Sequence, residues 1–364
     1  MSPLSVRAPA FVALRLFLVL CCVAGVARAD LVWNAQTGWR VEGGALSGLS
    51  GAAGRNALDS MNKAREAEEK GSEGSAISTY LKVAKKYPNS VYAPEAYYRA
   101  AKLRLARKEY VKAFETFQEI VARYPNTKRF NEVIGEQYHI SSALLDGARN
   151  RSWGWFPGFR AREKSIGYFE TILVNAPYSD YAPLALMNIA RGHQRLGNNP
   201  EAIDALDRMI NTYPQSLLTP DAYLKIGQTH AKLVEGPYYD QASTKEAITY
   251  FTDFMLLFPG DPNIGQAEKG LDQMKTMLAE SKMKIGDFYF YKRDNYTAAK
   301  VFYNEAITAY PESAIAGRAK SRLAEVEAKV TGNKPGTDMT PPTGGTDGTP
   351  PTPAPKKKKR FWLF

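Results

Sequence analysis

The sequence predicts an all-α fold: a solenoid of about six helix hairpins with a capping helix and a disordered C-terminal tail. Three observations lead there. Six times a proline follows an aromatic or small residue and precedes a short polar or small pair: Y-P-N-S, Y-P-N-T, A-P-Y-S, Y-P-Q-S, F-P-G-D and Y-P-E-S, with prolines 88, 125, 177, 214, 259 and 311. Eight residues before each proline stands a large apolar residue (Tyr80, Phe117, Phe169, Leu206, Phe251, Tyr303), and four before that a small one (Ala76, Ala113, Ser165, Ala202, Ala247, Ala299). Successive prolines are 37, 52, 37, 45 and 52 residues apart, which is one unit repeated with insertions.

The physics of the unit is simple. Residues four apart share a helical face, so the small one admits a neighbouring helix and the large one fills the gap. Proline then ends the helix, because it lacks an N–H and disfavours helix in the residue before it. The Ser, Thr or Asp that follows is expected to cap the next helix.

This punctuation resembles the tetratricopeptide repeat. Residues 57–90, 94–127 and 183–216 match its standard spacing, with Ala64, Ala101 and Ala190 at the small position of the first helix. The third, fifth and sixth copies carry insertions. Such a solenoid offers an extended concave surface and works by binding chains or domains.

The elements follow in order. The first 29 residues hold Arg7, Arg15 and Arg28 and no acid, around an apolar run of about 12 residues, where a bilayer needs roughly 20. With Ala27-Arg28-Ala29 as an A-x-A site, this reads as a signal peptide cut between Ala29 and Asp30. Cleavage removes Cys21 and Cys22, the only cysteines; lipidation of one of them is the alternative. An extended arm follows over residues 30–54, carrying Trp33 and Trp39, and then the solenoid over residues 55–330. Twelve helices pair up from about Ala57 to Tyr310, and a thirteenth, Glu312 to Val330, alternates apolar residues with charges as a cap should. Residues 331–355 are rich in Pro, Thr and Gly and are expected to be disordered.

Charge says little about the folded part. The chain carries +11; without Arg7, Arg15 and Arg28 it is +8, and five of those charges lie in the final K-K-K-K-R-F-W-L-F. That tail, Lys356, Lys357, Lys358, Lys359 and Arg360 followed by Phe361, Trp362 and Phe364, suits an anionic membrane surface, with a solvated tail as the other reading. Nucleic acid is not expected as a partner of an exported chain.

No Walker loop, nucleophile elbow, H-E-x-x-H or dinucleotide fingerprint occurs, so neither an enzyme nor a cofactor is expected. His193 and His230 lie 37 residues apart, one repeat, which argues for packing rather than metal binding. The insertion of the third repeat, N-R-S-W-G-W-F-P-G-F, gathers Trp153, Trp155, Phe156 and Phe159. It is either a plug over the groove or an exposed patch for a partner.

Residues 283–311 are the most specific stretch. Phe288 and Tyr289, Arg293, Tyr296, Ala298 and Ala299, and Tyr310-Pro311 resemble a late repeat of the BamD family, tetratricopeptide subunits of the outer-membrane β-barrel assembly machine. The aromatic insertion, followed by A-R-E-K-S-I-G-Y-F-E-T-I-L, is similar to that family's third repeat. The resemblance departs at Phe302, where the family commonly carries Arg. It implies a non-enzymatic periplasmic scaffold at the inner face of the outer membrane. The C-terminal repeats would bind the insertase's periplasmic domains, and the N-terminal repeats would meet unfolded outer-membrane proteins. An envelope adaptor of the Tol-Pal or cell-division type is the alternative.

Overall fold

All twelve residues of the six small/large pairs are buried, none more than 1% exposed, in the computed structural model, which describes residues 30–42, 51–152, 156–239 and 241–332. The elements run β1 (Asp30–Asn34), β2 (Gly38–Glu42), α1 (Gly51–Glu69), α2 (Glu73–Lys86), α3 (Tyr92–Ala106), α4 (Tyr110–Arg123), α5 (Phe130–Leu145), β3 (Arg149–Ser152), β4 (Phe156–Arg160), α6 (Arg162–Asn175), α7 (Tyr181–Leu196), α8 (Asn199–Thr212), α9 (Thr219–Leu233), α10 (Ala242–Leu257), α11 (Ile264–Lys292), α12 (Tyr296–Ala309) and α13 (Ala314–Gly332). The described residues thus contain the thirteen helices expected, paired as tetratricopeptide hairpins. They form two compact units that divide within α11, the first through Leu278 and the second from Ala279.

The small/large rule has a direct packing basis. In the first unit the Phe251 ring on α10 lies against two glycines, Gly227 of α9 and Gly270 of α11. A Cβ on either would come within 2.9 or 2.6 Å of that ring. In the second unit Tyr303 of α12 presses on Gly286 of α11, where a Cβ would meet it at 2.6 Å. Side-chain volume on one helix is matched by its absence on the next, which interior packing density demands.

The proline turns share one construction. In each of the six, the backbone N–H three residues after the aromatic or alanine returns to its carbonyl, from Ser90 to Tyr87 at 3.2 Å through to Ser313 to Tyr310 at 3.2 Å. The hydroxyls depart from the expected role. Ser90, Ser179 and Ser313 donate back to the carbonyls of Tyr87, Ala176 and Tyr310 at 2.6–2.8 Å, closing the turn rather than capping the next helix. Only Ser313 among these also accepts a helix N–H, from Ala316 at 3.1 Å, so α13 starts two residues later than Glu312.

The N-terminal arm also differs from expectation. It is a β-hairpin, β1 against β2, with Trp33 paired across from Trp39, and α1 begins at Gly51 rather than after residue 54. Glycine costs a helix only about 1 kcal/mol against alanine, and the burial of Ala57, Met61 and Ala64 farther along α1 lets it extend back through Gly-Ala-Ala-Gly. The hairpin is fixed to the first repeat: Trp39 is buried, and its backbone N–H donates to Asn62 Oδ1 at 2.7 Å. Arg65 lies over the Trp33 ring at 4.5 Å and Arg99 over Trp39 at 5.3 Å.

Each insertion takes its own form. The third repeat's is the β3/β4 hairpin, held to the α3–α4 turn by Arg151 N–H to Lys108 O at 2.9 Å and Val111 N–H to Asn150 Oδ1 at 3.0 Å. The fifth repeat's is a loop tied by the Gln241 amide to the carbonyls of Gly236 and Tyr239. The sixth repeat's is absorbed into α11, a 29-residue helix. The leader with Cys21, Cys22 and Ala29, the linker from residue 333 and the tail 356–364 lie outside the described residues.

Candidate functional site

The residues singled out by the late-repeat resemblance lie in the second unit. Its fold starts from a tight reversal after α11. Asp294 adopts a positive φ of 48°, the Asn295 N–H returns to Tyr289 O at 3.0 Å, and the Asn295 side chain caps α12 by accepting from Ala298 N–H at 3.0 Å. Tyr303 then anchors α12 to α11: its ring is buried and its hydroxyl donates to Asp287 Oδ1 at 2.8 Å. Burial and that bond together hold the phenol protonated far above its ordinary range.

Two aromatic groups result. In the first, Tyr289 stacks on Phe302 with ring centroids 5.5 Å apart and planes 4° from parallel, and Phe288 stands edge-on to Tyr289 at 5.6 Å. Cations lie over both outer rings: the Arg293 guanidinium 5.4 Å from Phe288 and the Lys282 ammonium 5.6 Å from Phe302. Lys282 is steadied by an ion pair to Glu305 at 2.5 Å. In the second group Phe290 is buried, with Tyr291 perpendicular to it at 4.7 Å and Tyr296 at 5.8 Å. Arg322 lies over Tyr291 and Lys329 over Phe290.

Of the four predicted residues, Phe288, Tyr289 and Arg293 are therefore together, while Tyr296 belongs to the second group. Phe288, Tyr291 and Val301 remain about half exposed, so apolar area is presented to solvent beneath positive charge. Such a surface favours a partner that can bury aromatic rings and neutralise guanidinium groups. Sequence reading missed Lys282, Tyr291, Arg322 and Lys329. Lys282 was within reach, since it precedes Tyr289 by seven residues and two turns return a helix to the same face.

A second polar site lies in the first unit, where the N-terminal hairpin meets α3 and α5. Arg129 bonds Glu95 and Glu132, each at 2.9 Å, and its guanidinium sits 4.4 Å over the Tyr98 ring. The Tyr98 hydroxyl donates to Glu132, and Arg99 bonds the other oxygen of Glu95 at 2.9 Å. Burial alone would lower the Arg129 pKa; the charge of Glu95 and the bonds from Glu132 outweigh it and raise it. Asp30 pairs with Lys128 at the mouth of the adjoining cleft, whose volume is about 760 Å³. No residue of this network was read from the sequence as a site.

The aromatic insertion divides. Phe156 and Phe159 belong to β4, whereas Trp153 and Trp155 lie outside the described residues. His193 and His230 sit on α7 and α9, and His230 stacks on Tyr250 at 5.8 Å. Among the described residues no cluster of His, Cys, Asp and Glu is arranged to hold a metal ion. None of their helices is long and apolar enough to cross a membrane.

Parts of the chain match known protein families. Residues 160–338 match the YfiO family, described as outer membrane lipoprotein, and residues 95–127 match a tetratricopeptide repeat. An outer membrane protein assembly factor BamD of Xylella fastidiosa (strain 9a5c) is 23% identical over 176 residues, covering 46% of this chain and 60% of that protein. The BamD of Pasteurella multocida (strain Pm70) is 23% identical over 180 residues, covering 47% of this chain and 69% of that protein. The match to the Xylella protein thus spans less than two thirds of its length. Among solved structures, a tetratricopeptide repeat protein from Parabacteroides merdae is 12% identical, covers 75% of this chain and 99% of its own, and superposes with a TM-score of 0.30. The sequence resemblance is borne out: this chain is a tetratricopeptide-repeat protein similar to the BamD family over residues 160–338.

Proposed function

We propose that this chain is an outer-membrane protein assembly factor that acts as a non-enzymatic periplasmic scaffold. It binds the periplasmic domains of the β-barrel insertase through its second unit and offers its N-terminal repeats to unfolded outer-membrane proteins. One observation carries the reading: the match to the outer membrane lipoprotein family contains the whole described part of the second unit, where Phe288, Tyr289 and Phe302 lie under Arg293 and Lys282. Chemistry supports it too, because aromatic and arginine side chains at a half-exposed surface are the usual anchors of protein partners.

The test is co-purification from detergent-solubilised envelopes. The full chain is expected to bring down the β-barrel insertase, and the F288A/R293A variant to lose most of it while keeping its helical content. Recovery of division or Tol-Pal proteins without the insertase would favour the adaptor reading instead.

A further inference from the structure

The N-terminal hairpin presents one face to the repeats, and its contacts follow the repeat period. Leu31 pairs across from Val41 and Trp33 from Trp39, which puts these four on the same side of the two strands. Trp39 is buried, and Leu31, Trp33 and Val41 are partly buried against the core of the first unit. Arg65 lies over Trp33 and Arg99 over Trp39. These arginines stand 34 residues apart, on the first helices, α1 and α3, of successive repeats; Tyr98 and Glu132, and Lys102 and Glu136, bond from α3 to α5 at the same spacing. Carboxylates steady both guanidinium groups: Glu68 at 2.8 Å and Glu69 at 3.0 Å on Arg65, and Glu95 at 2.9 Å on Arg99. The hairpin reaches on to the turn before α5, where Asp30 pairs with Lys128.

A cap for the end of a solenoid covers the outer face of one terminal repeat. This hairpin instead crosses the first-helix side of three. Its hold there is incomplete. Two strands alone are marginally stable in water. Trp39 Nε1 is buried with no hydrogen-bond partner among the described residues, at a cost of about 1–3 kcal/mol. Beyond Leu31 the cleft of about 760 Å³ leaves Tyr98, Tyr124 and Arg129 uncovered on one side. The small/large pairs that build the repeat core belong to the helices alone.

We propose that the hairpin is an autoinhibitory occupant of this face, holding the place of an aromatic β-hairpin from a partner chain. When residues 30–42 leave, the partner sets two aromatic rings over Arg65 and Arg99. Two rings directly opposite on paired strands are the arrangement these arginines already hold. Strands of membrane β-barrels are joined as antiparallel hairpins and carry aromatic girdles, so their unfolded chains supply that pattern. The inference rests on the reading above that the N-terminal repeats meet unfolded outer-membrane proteins. It adds that the site is closed until the chain's own hairpin is displaced.

Fluorescence anisotropy tests it on the full chain, with a labelled D-L-V-W-N-A-Q-T-G-W-R-V-E peptide supplying residues 30–42 in trans. A tethered occupant acts at an effective concentration of about 1 mM, so it masks a site of about 100 µM affinity by about tenfold. W33S/W39S loosens the hairpin and is expected to bind the peptide about tenfold more tightly than the unaltered chain, with circular dichroism unchanged. Adding R65Q/R99Q is expected to reduce binding to that of a peptide with serine at both tryptophans. Asp30→Lys breaks only the exposed pair with Lys128 and is expected to tighten binding by about twofold. Equal peptide binding by the unaltered, W33S/W39S and D30K chains would overturn the proposal. So would loss of helical signal in W33S/W39S, which would make the hairpin part of the fold. A urea-unfolded outer-membrane porin is expected to compete with the peptide for W33S/W39S. Peptide binding that the porin does not displace would keep the occupant and overturn the substrate reading instead.

Discussion

Tyr124 and Pro88, 36 residues apart, are joined by a hydrogen bond of 2.6 Å from hydroxyl to carbonyl, and Tyr213 and Pro177 repeat it at 2.7 Å. The tyrosine of the Y-P signature therefore does two jobs. It ends its own helix and fastens its turn to the preceding one. Removing the hydroxyl tests the second job alone. Tyr124→Phe is expected to lower stability by about 0.5–1 kcal/mol, read from the urea midpoint at unchanged slope.

The glycines that admit large side chains give a prediction with opposite signs. Gly270→Ala puts a Cβ 2.6 Å from the Phe251 ring and is expected to cost about 1–3 kcal/mol despite the better helix propensity of alanine. Gly167→Ala, in α6 with nothing within 4 Å, is expected to gain about 0.5–1 kcal/mol. Thermal melting of both variants checks the pair.

Glu132 links stability to acid. Its burial would raise its pKa, but the bonds from Tyr98 and Arg129 outweigh that and hold it below its usual 4.5. The unfolded chain thus takes up the proton first as pH falls. Its contribution is complete above about pH 4.5 and disappears as pH drops through the lower folded value. Urea unfolding at a series of acidic pH values is expected to show this loss, and Glu132→Gln to flatten it.

His230 acts in a higher window. Burial against Tyr250 holds its pKa below 6.5, so the neutral ring is favoured in the fold. Stability attributable to it is complete above about pH 6.5 and is lost as pH falls through the folded value. His230→Phe is expected to remove that slope while keeping the stacking, as measured by melting temperature between neutral and mildly acidic pH.

How much could be read in advance follows from what each signal depends on. The Ala/aromatic/Pro spacing reports local helix geometry, and it placed Ala76 with Tyr80 and Ala299 with Tyr303 in the core without error. The N-terminal hairpin escaped because D-L-V-W-N-A-Q-T-G-W-R-V-E reads only as extended. What makes it a hairpin is tertiary: Trp39 buried against the first repeat and bonded to Asn62, 23 residues away. The serine caps expected at Ser90 and Ser179 failed for a related reason. A hydroxyl can serve the turn behind it or the helix ahead, and the closed i to i+3 turn brings Tyr87 O nearer to Ser90. In the candidate site, Phe288, Tyr289 and Arg293 were legible from motif. Phe302, on α12, is brought to Tyr289 on α11 only by packing, and that packing sets its ring under Lys282.

The central claim concerns what the second unit touches. A photoreactive amino acid at position 288, half exposed beside Arg293, reports its neighbour in intact envelopes, with position 167 in the first unit as the control. After irradiation and mass spectrometry, position 288 is predicted to cross-link to a periplasmic domain of the β-barrel insertase and position 167 not to. Cross-links from position 288 to division or peptidoglycan proteins, with none to the insertase, would contradict the account.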